Sequence, residues 1–417
     1  MKLDPPPPRT LSNTHYSTLT DKLEGHNKWR RKVKLTRGQR IIQWFSSLSK
    51  RLIAGLTLLQ RSITKHFSIN FFSPQKSKGK YWEEVALPDN PEELRDISID
   101  SALAQLPYTL NDDPIDCWKT IKKAENILTK STEPKTQIET QHRVEPRFFE
   151  TIISCNKNHS SRFKAPPLTD QQNCLAKSEL FNNLILLPSG MIIDPTTGLT
   201  AAMVRNQSTN KITLIFGGTN SANGASKLLD KWGSKIGKRP GRLRAQLKAN
   251  WQNIVGSRIP VCYQQATKLV ELLKNMITSK ELLAHFGLED SEGMLFLTGH
   301  SLGGGLAQYS AAKSKLFART FSPAALGYKV MEDLTIEEKE LARNGLICNF
   351  LIKNDPLTIP PGYKLWHKYL TPTIIGKRTV IDGDKSTGKN SLYGRHSWSH
   401  LHILSALKNK NKKNEIP

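Results

Sequence analysis

Residues 294–305 read Met-Leu-Phe-Leu-Thr-Gly-His-Ser-Leu-Gly-Gly-Gly. The apolar run at the start predicts a buried strand, and the residues after the serine predict a helix. The turn between them contains Gly299, His300 and Gly303, and it is so tight that residues two before and two after the serine must be small. Ser301 would then be held in a strained backbone conformation with its hydroxyl at the edge of a sheet. The stretch therefore predicts a strand–turn–helix that presents a nucleophilic serine.

The residues that follow the serine add to this interpretation. The N–H of Leu302 would begin the helix and point to where the oxyanion of a tetrahedral intermediate forms. Gly304, Gly305 and Ala307 would let the helix pack closely on the sheet. The alternative is a close-packed strand–helix junction without catalysis, which does not require a serine at position 301.

The chain around this stretch changes pattern at about residue 180, where short apolar runs begin to alternate with helical stretches. Such alternation is typical of an α/β fold with a mostly parallel central sheet. The predicted strands are Leu184–Leu187, Thr200–Arg205, Ile212–Phe216, Met294–Thr298, Arg319–Phe321 and Ile347–Ile352. The predicted helices are Val261–Lys274, Leu302–Lys315 and Ile336–Asn344.

A nucleophilic serine requires a base, and the base requires an orienting carboxylate. In an α/β sheet of this kind the chain order is serine, acid, histidine. Asp355 directly follows the strand that ends at Ile352, which is where such an acid is expected. Asp382 and Asp384 are rivals, but they lie in an apparent polar, Gly-rich hairpin loop. The alternative for Asp355 is an ordinary Asp-Pro turn.

Three histidines lie close together near the end of the chain: His396, His400 and His402. His396 precedes an apolar helical run, so we expect it on a loop from which its imidazole can reach the serine. His400 would fall within that helix and is the second choice for the base. The three residues could instead bind a metal, but no carboxylate or thiol of suitable spacing accompanies them. We therefore predict neither a metal nor any other cofactor.

A second oxyanion donor is expected from a loop after an earlier strand. Leu214-Ile215-Phe216 opens into Gly217-Gly218-Thr219, and the glycines would let the main chain approach a reacting carbonyl group. Thr219 offers both an N–H and a hydroxyl. The alternative is a plain Gly-Gly turn after a strand.

The composition bears on the partners of the chain. The 417 residues carry a formal net charge of +25, which favours anionic membranes, nucleic acids or acidic proteins. No nucleic-acid recognition motif is present, so nucleic acid is not an expected partner. The five cysteines are scattered, and they indicate free thiols rather than a disulfide framework.

The chain organisation predicted from these patterns has five parts. Residues 1–24 are Pro-, Ser- and Thr-rich and are expected to be disordered. Residues 25–82 contain no Asp or Glu and include a basic amphipathic helix, which would either lie on an anionic membrane or pack on the catalytic domain. Residues 83–175 carry no motif and are expected to be a helical extension. Residues 176–407 form the catalytic domain, and residues 408–417 form a frayed basic tail.

The N-terminal region shows neither an ordinary signal peptide nor a membrane-spanning segment. It lacks the apolar core of a cleavable signal peptide, and its longest apolar run, Leu52–Leu59, is too short to span a bilayer. We therefore expect a soluble or peripheral membrane protein. Any export would follow a route that uses no ordinary signal sequence.

Taken together, the motifs resemble those of the class 3 lipases and related bacterial lipase-like proteins. The matching pieces lie within about residues 180–407: Phe216 to Thr219, Gly299 to Gly304, Thr320 to Pro323, Asp355-Pro356 and His396. One departure is Gly217, where the family often has an arginine. A basic stretch from Lys227 to Lys248 follows this loop, in a region that neighbours the lid in such lipases.

The resemblance implies an α/β-hydrolase fold and a lipid ester substrate. Ser301, Asp355 and His396 would be the triad, and Thr219 and Leu302 the oxyanion donors. The basic segments favour an anionic membrane surface and therefore a phospholipase A-type esterase. The alternatives are a neutral acylglycerol lipase and a catalytically silent protein that binds anionic membranes. By analogy, the basic N-terminal extension looks like that of secreted bacterial effectors, with a delivery or activating partner that the sequence does not identify.

Overall fold

The computed structural model describes residues 81–109, 118–119, 121–122, 141–157, 168–219, 221, 242–255, 258–288, 295–353, 355, 373–384, 392–397 and 399–414. The chain divides into two compact units, Met1–Gln75 and Lys76–Pro417, and every described residue belongs to the second unit. The predicted disordered N-terminus and the basic amphipathic helix lie outside the described residues. So does most of the basic stretch from Lys227 to Lys248.

The strands of the described residues form one mixed sheet. They are β1 (Trp82–Glu84), β2 (His142–Val144), β3 (Ile185–Leu186), β4 (Ile192–Ile193), β5 (Thr200–Asn206), β6 (Ile212–Phe216), β7 (Leu295–His300), β8 (Ala318–Phe321), β9 (Ile347–Ile352) and β10 (Gly376–Ile381). Their order is β1-β10-β9-β8-β7-β6-β5-β4-β3, and β2 also pairs with β5. The strands from β1 to β6 in this order are parallel, and the remaining pairs are antiparallel.

Helices of the described residues cover both faces of this sheet. They are α1 (Pro91–Leu103), α2 (Leu106–Thr109), α3 (Arg147–Lys157), α4 (Asp170–Ala176), α5 (Arg242–Val255), α6 (Val261–Ile277), α7 (Lys280–His285), α8 (Leu302–Ser314), α9 (Tyr328–Asp333), α10 (Ile336–Leu341), α11 (Leu392–Ser397) and α12 (Ser399–Asn414). A π-helical turn, Ala342–Leu346, leads from α10 into β9.

The two faces follow from the alternation of side chains along each strand. In β6, Leu214 and Phe216 point into a large apolar cluster with α3, α4, α6, α7 and α8. Ile215, between them, points to the opposite face, where it packs with residues of α1, α2 and α12. Because both faces are covered, β6 and β9 are mostly apolar rather than strictly alternating with polar residues.

A mostly parallel sheet with helices on both faces and a strand–turn–helix at Ser301 is the α/β-hydrolase fold, which confirms the predicted fold class. Strands β6 and β9 have the predicted bounds, and β5, β7 and β8 begin or end within two residues of them. Four strands, β1, β2, β4 and β10, are not apparent in the sequence. They are short or partly polar, and pairing with a neighbouring strand defines them rather than their own composition.

The stretch 83–175 contributes directly to the sheet. Besides helices, it supplies nearly all of β1 and the whole of β2, and α1 packs against β7 and β8. A buried ion pair fastens α1 there: Asp100 Oδ2 lies 2.9 Å from Arg319 Nη1, and Lys211 Nζ lies 3.6 Å from the other carboxylate oxygen. Burial raises the pKa of Asp100, but Lys211 and Arg319 outweigh it and hold the pKa below its usual value.

At the other end of the chain, α12 continues to Asn414 through most of the segment for which the sequence predicts a frayed tail. Lys410 ties this part of the helix to the rest of the unit, because its Nζ lies 2.8 Å from an oxygen of Asp89. No helix of the described residues is long and apolar enough to cross a bilayer. Of the cysteines, Cys155, Cys174, Cys262 and Cys348 are free thiols, and Cys117 lies outside the described residues.

Candidate active site

Ser301 lies at the turn between β7 and α8. Its φ of 58° and ψ of −127° are strained for a residue that is not glycine. The turn leaves no room for side chains beside it. A Cβ on Gly299 would lie 2.5 Å from the carbonyl carbon of Gly303, and a Cβ on Gly303 would lie 2.1 Å from the carbonyl oxygen of Phe216. The predicted requirement for small residues on either side of the serine therefore has a direct steric cause.

The main chain around Ser301 fixes its position relative to the helix. Its carbonyl oxygen accepts hydrogen bonds from the N–H of Gly305 at 3.1 Å and of Ala324 at 2.8 Å. Leu302 is the first residue of α8, so its N–H has no acceptor within the helix. The positive end of the helix dipole also lies here, next to the serine hydroxyl. Negative charge that develops on a substrate at this position would be stabilised.

His396, on α11, contacts both the serine and a carboxylate. Its Nε2 lies 2.9 Å from Ser301 Oγ, and its Nδ1 lies 3.0 Å from Asp355 Oδ2. An ionised carboxylate can only accept, so Nδ1 carries the proton and Nε2 accepts from the serine hydroxyl. Asp355 follows β9 and is fully buried. The structure thus brings together the three residues that the sequence proposes as nucleophile, base and acid.

The rival histidines and carboxylates lie elsewhere. His400 is buried within α12, where burial first and His402 second lower its pKa to about 4. His402 Nδ1 accepts from the N–H of Asp384 at 3.1 Å, and Asp384 accepts from the hydroxyl of Ser405. Asp382 is 3.0 Å from Lys353 Nζ and is 83% exposed. The imidazole next to Ser301 is therefore that of His396.

Asp382 and Asp384 directly follow β10, a strand parallel to β9. The described residues contain no group of three His, Cys, Asp or Glu side chains that could hold a metal ion.

The loop after β6 lies directly against the turn of Ser301, with Gly218 at the point of contact. A Cβ on Gly218 would lie 2.1 Å from the hydroxyl oxygen of Tyr108, 2.5 Å from the carbonyl oxygen of His300 and 3.0 Å from Ser301 Cβ. Only glycine fits at this position. Thr219, the predicted oxyanion donor, comes next, and its Oγ1 accepts a hydrogen bond of 2.8 Å from Asn250 Nδ2.

Helix α5 anchors this loop, a role that the sequence interpretation missed. Gln246 Nε2 donates to Ser221 Oγ at 3.2 Å and to the carbonyl of Gly198 at 3.1 Å. Asn250 and Asn253 lie four and seven residues further, on the same helical face. Asn253 binds the main chain of the loop after β8, with its Oδ1 accepting from the N–H of Gly327 at 2.8 Å. Three amides at helical spacing were the signal that could have revealed this face.

The same anchoring accounts for Gly217, where the resembling family often has an arginine. A Cβ there would lie 2.5 Å from Ser221 Oγ, so Ser221 occupies the space of a larger side chain. The hydrogen bond from Gln246 to Ser221 ties this loop to α5.

His300, which the sequence identifies only as part of the turn, makes two hydrogen bonds at the site. Its Nε2 lies 2.8 Å from the carbonyl oxygen of His396, and its Nδ1 lies 3.0 Å from the hydroxyl of Tyr108 on α2. Burial first, and the nearby His396 second, lower the pKa of His300 to about 3. The ring is therefore neutral at physiological pH. Tyr108 carries no sequence signal, because 192 residues separate it from His300.

Comparison with known proteins gives only distant likenesses. No family model matches the chain, and no curated protein matches it in sequence. Among solved structures, the chain is similar to Lip2 lipase from Yarrowia lipolytica at 11% identity, with 73% of this chain and 83% of that chain covered and a TM-score of 0.32. It is also similar to a Rhizomucor miehei lipase propeptide complex, at 14% identity, with 61% and 79% covered and a TM-score of 0.28. These scores are too low to bear on function, which must be argued from the site itself.

Proposed function

We propose that this chain is a serine esterase that hydrolyses carboxylic ester bonds through Ser301, His396 and Asp355. The observation that carries this proposal is the continuous hydrogen-bonded series from Ser301 Oγ through His396 to the buried carboxylate of Asp355, at 2.9 Å and 3.0 Å. A serine hydroxyl is a weak nucleophile, and this series is the arrangement that activates it. The strained backbone of Ser301 supports the same role, since such strain persists only where the surrounding structure enforces it.

The reaction would run in two stages. His396 Nε2 takes the proton of Ser301 as the serine oxygen attacks the ester carbonyl carbon, and the C=O electron pair moves to the oxygen. The N–H of Leu302 and Thr219 donate to this oxyanion. The imidazolium then protonates the departing alcohol as the C–O bond breaks, which leaves an acyl-enzyme. Water repeats the sequence, with His396 as base, and releases the carboxylic acid.

The hydroxyl of Thr219 is suited to donate to the oxyanion. An amide nitrogen can only donate, so Asn250 Nδ2 occupies a lone pair of Thr219 Oγ1 and leaves the hydroxyl proton available. This contact orients the hydroxyl before substrate binds. A donor that is already oriented costs no reorganisation during the reaction.

For the substrate, we propose lipid esters at an anionic membrane, in a reaction of the phospholipase A type. The support is electrostatic: the chain has a net charge of +25, and residues 25–82 contain no acidic side chain. Each Lys or Arg near an anionic surface contributes about 1 kcal/mol of attraction, so such segments would hold the enzyme on its substrate in a salt-sensitive way. A neutral acylglycerol lipase is the alternative that the same site chemistry allows.

The test compares wild-type protein with Ser301→Ala on vesicles that contain neutral phospholipid alone or mixed with anionic phospholipid. Ser310→Ala is a matched control, because Ser310 is also buried on α8 but its hydroxyl contacts Thr267 rather than His396. We expect fatty acid release by wild type and by the control, none by Ser301→Ala, and faster release as the anionic fraction rises.

Other outcomes separate the alternatives. Release that ignores the anionic fraction would contradict the proposed role of the basic segments. Hydrolysis of triacylglycerol emulsions but not of vesicles would favour the neutral lipase. Vesicle binding without release by any variant would contradict catalysis and favour a binding protein.

A further inference from the structure

The site contains a second imidazole that the proposed reaction does not use. His300 is 3% exposed, and its ring centroid lies 4.7 Å from that of His396. Its two nitrogens have defined partners, and those partners determine its tautomer. The carbonyl oxygen of His396 can only accept, so His300 Nε2 carries the proton. In a neutral ring Nδ1 is then an acceptor, and the hydroxyl of Tyr108 donates to it.

Each hydrogen bond in this series joins a different part of the chain. Tyr108 is on α2, His300 is at the turn before α8, and His396 is on α11. The bond from His300 goes to the main chain of His396 rather than to its ring. It therefore fixes the peptide from which the imidazole projects, while Asp355 fixes the ring itself.

We propose that Tyr108 and His300 are positioning residues that hold the main chain of His396 so that its Nε2 stays within hydrogen-bond distance of Ser301 Oγ. This inference rests on the proposed function for its kinetic consequence. The positioning itself is a property of the folded protein. A catalytic base displaced by about 1 Å can lose about 100-fold in rate, so a second restraint on His396 has a measurable effect.

Tyr108 also lies against the loop that follows β6. Its oxygen is so close to Gly218 that a Cβ on that residue would lie 2.1 Å away. Tyr108 thus touches the loop of the proposed oxyanion donor as well as the turn of the nucleophile. The stretch 83–175, for which the sequence indicates no motif, supplies this residue to the site.

The test uses three substitutions in the full chain. His300→Leu removes the donor to His396, and His300→Gln keeps an amide donor near the position of Nε2. Tyr108→Phe removes only the hydroxyl that donates to His300 Nδ1. Tyr309→Phe is the matched control: it also removes a tyrosine hydroxyl, one that donates a hydrogen bond of 2.6 Å to Asp333, away from the site.

The kinetic readouts are kcat and KM for a soluble ester, with urea unfolding midpoints measured in parallel. We expect His300→Leu to lower kcat by about 10-fold to 100-fold with KM little changed, and His300→Gln to restore most of the loss. Tyr108→Phe should lower kcat severalfold, whereas Tyr309→Phe should lower only the unfolding midpoint. Wild-type kcat in both His300→Leu and Tyr108→Phe would overturn the proposal.

A spectroscopic readout does not depend on turnover. The proton on His396 Nδ1, shared with Asp355, is expected to give a downfield NMR resonance in the wild type. The resonance should broaden or shift in His300→Leu and Tyr108→Phe and stay unchanged in Tyr309→Phe. If wild-type protein has no esterase activity, the proposed function fails but this measurement still tests the positioning. An unchanged resonance in both site variants would overturn it, and if His300→Leu does not fold, Tyr108→Phe and His300→Gln decide.

Discussion

Acidification from pH 7.5 to pH 4.5 should destabilise the folded protein through two buried neutral histidines. Burial is the main cause that lowers the pKa of His300 to about 3 and that of His400 to about 4, from an ordinary value of 6.5. Because each folded-state pKa lies below that of the unfolded chain, the unfolded chain takes up protons first as the pH falls. Stability is therefore complete above about pH 6.5 and is lost as the pH drops towards the folded-state values.

The size of the effect follows from the linkage relation. At pH 4.5 an unfolded histidine with a pKa of 6.5 is almost fully protonated, whereas the folded-state groups are almost neutral. The difference is about 2 pH units for each residue, which at 1.36 kcal/mol per unit is about 2–3 kcal/mol for each histidine. Together they remove about 5 kcal/mol, a large part of the 5–15 kcal/mol of a typical domain.

The assay is urea unfolding, followed by circular dichroism, at several pH values between 7.5 and 4.5. His400→Gln should lose about 2–3 kcal/mol less than wild type across this range, because glutamine does not titrate. His285→Gln is the control, since His285 is exposed on α7 and remains in water in both states. A stability difference between wild type and His400→Gln that is the same at pH 7.5 and pH 4.5 would refute the reasoning.

Three further predictions concern single residues. Asp355→Asn should lower kcat by about 10⁴-fold, or about 5.4 kcal/mol, because an amide favours the wrong tautomer of His396. Steady-state kinetics measures this loss, and a loss below 10-fold would contradict the role of Asp355. Gly218→Ala should lower kcat by about 100-fold, because its Cβ would lie 2.1 Å from the hydroxyl oxygen of Tyr108, and the rate of labelling of Ser301 by a fluorophosphonate should fall with it. Ser322→Gly should raise the free energy of unfolding by about 1 kcal/mol, because Ser322 has a φ of 43° and its buried hydroxyl has no hydrogen-bond partner among the described residues. A lower urea midpoint for Ser322→Gly would contradict that account.

Short-range constraints explain which parts of the fold were predictable. The turn at Ser301 needs small residues at fixed offsets, and the apolar runs of β6 and β9 need burial on both faces. Both features can therefore be predicted from a few adjacent residues. By contrast, β10 reads Gly-Lys-Arg-Thr-Val-Ile, which is neither an apolar run nor an alternating pattern, and it leaves Val380 45% exposed. Only its pairing with β9 defines it as a strand. Strand β1 has three residues and depends on β10 in the same way.

The site residues also divide into those that chain order could predict and those that required the structure. The order of serine, acid and histidine in the chain was enough to propose Asp355 and His396, because parallel strands bring their carboxyl ends to one edge of a sheet. Order alone does not distinguish His396 from His400, which lie one helical turn apart in sequence. The structure distinguishes them because His396 is on α11, facing Ser301, whereas His400 is buried within α12.

The sequence by itself determined the strand–turn–helix at Ser301 and the class of sheet around it, and it was enough to propose a serine, a carboxylate and an imidazole as the reacting groups. Local sterics and residue chemistry act over a few positions, which is why these features could be predicted. Only the tertiary structure showed which histidine reaches Ser301 and that α5 anchors the loop of Thr219. It also showed the hydrogen bond between Tyr108 and His300, which are 192 residues apart in sequence. Contacts at such separations depend on strand order and helix packing, and these are properties of the whole folded unit rather than of any segment.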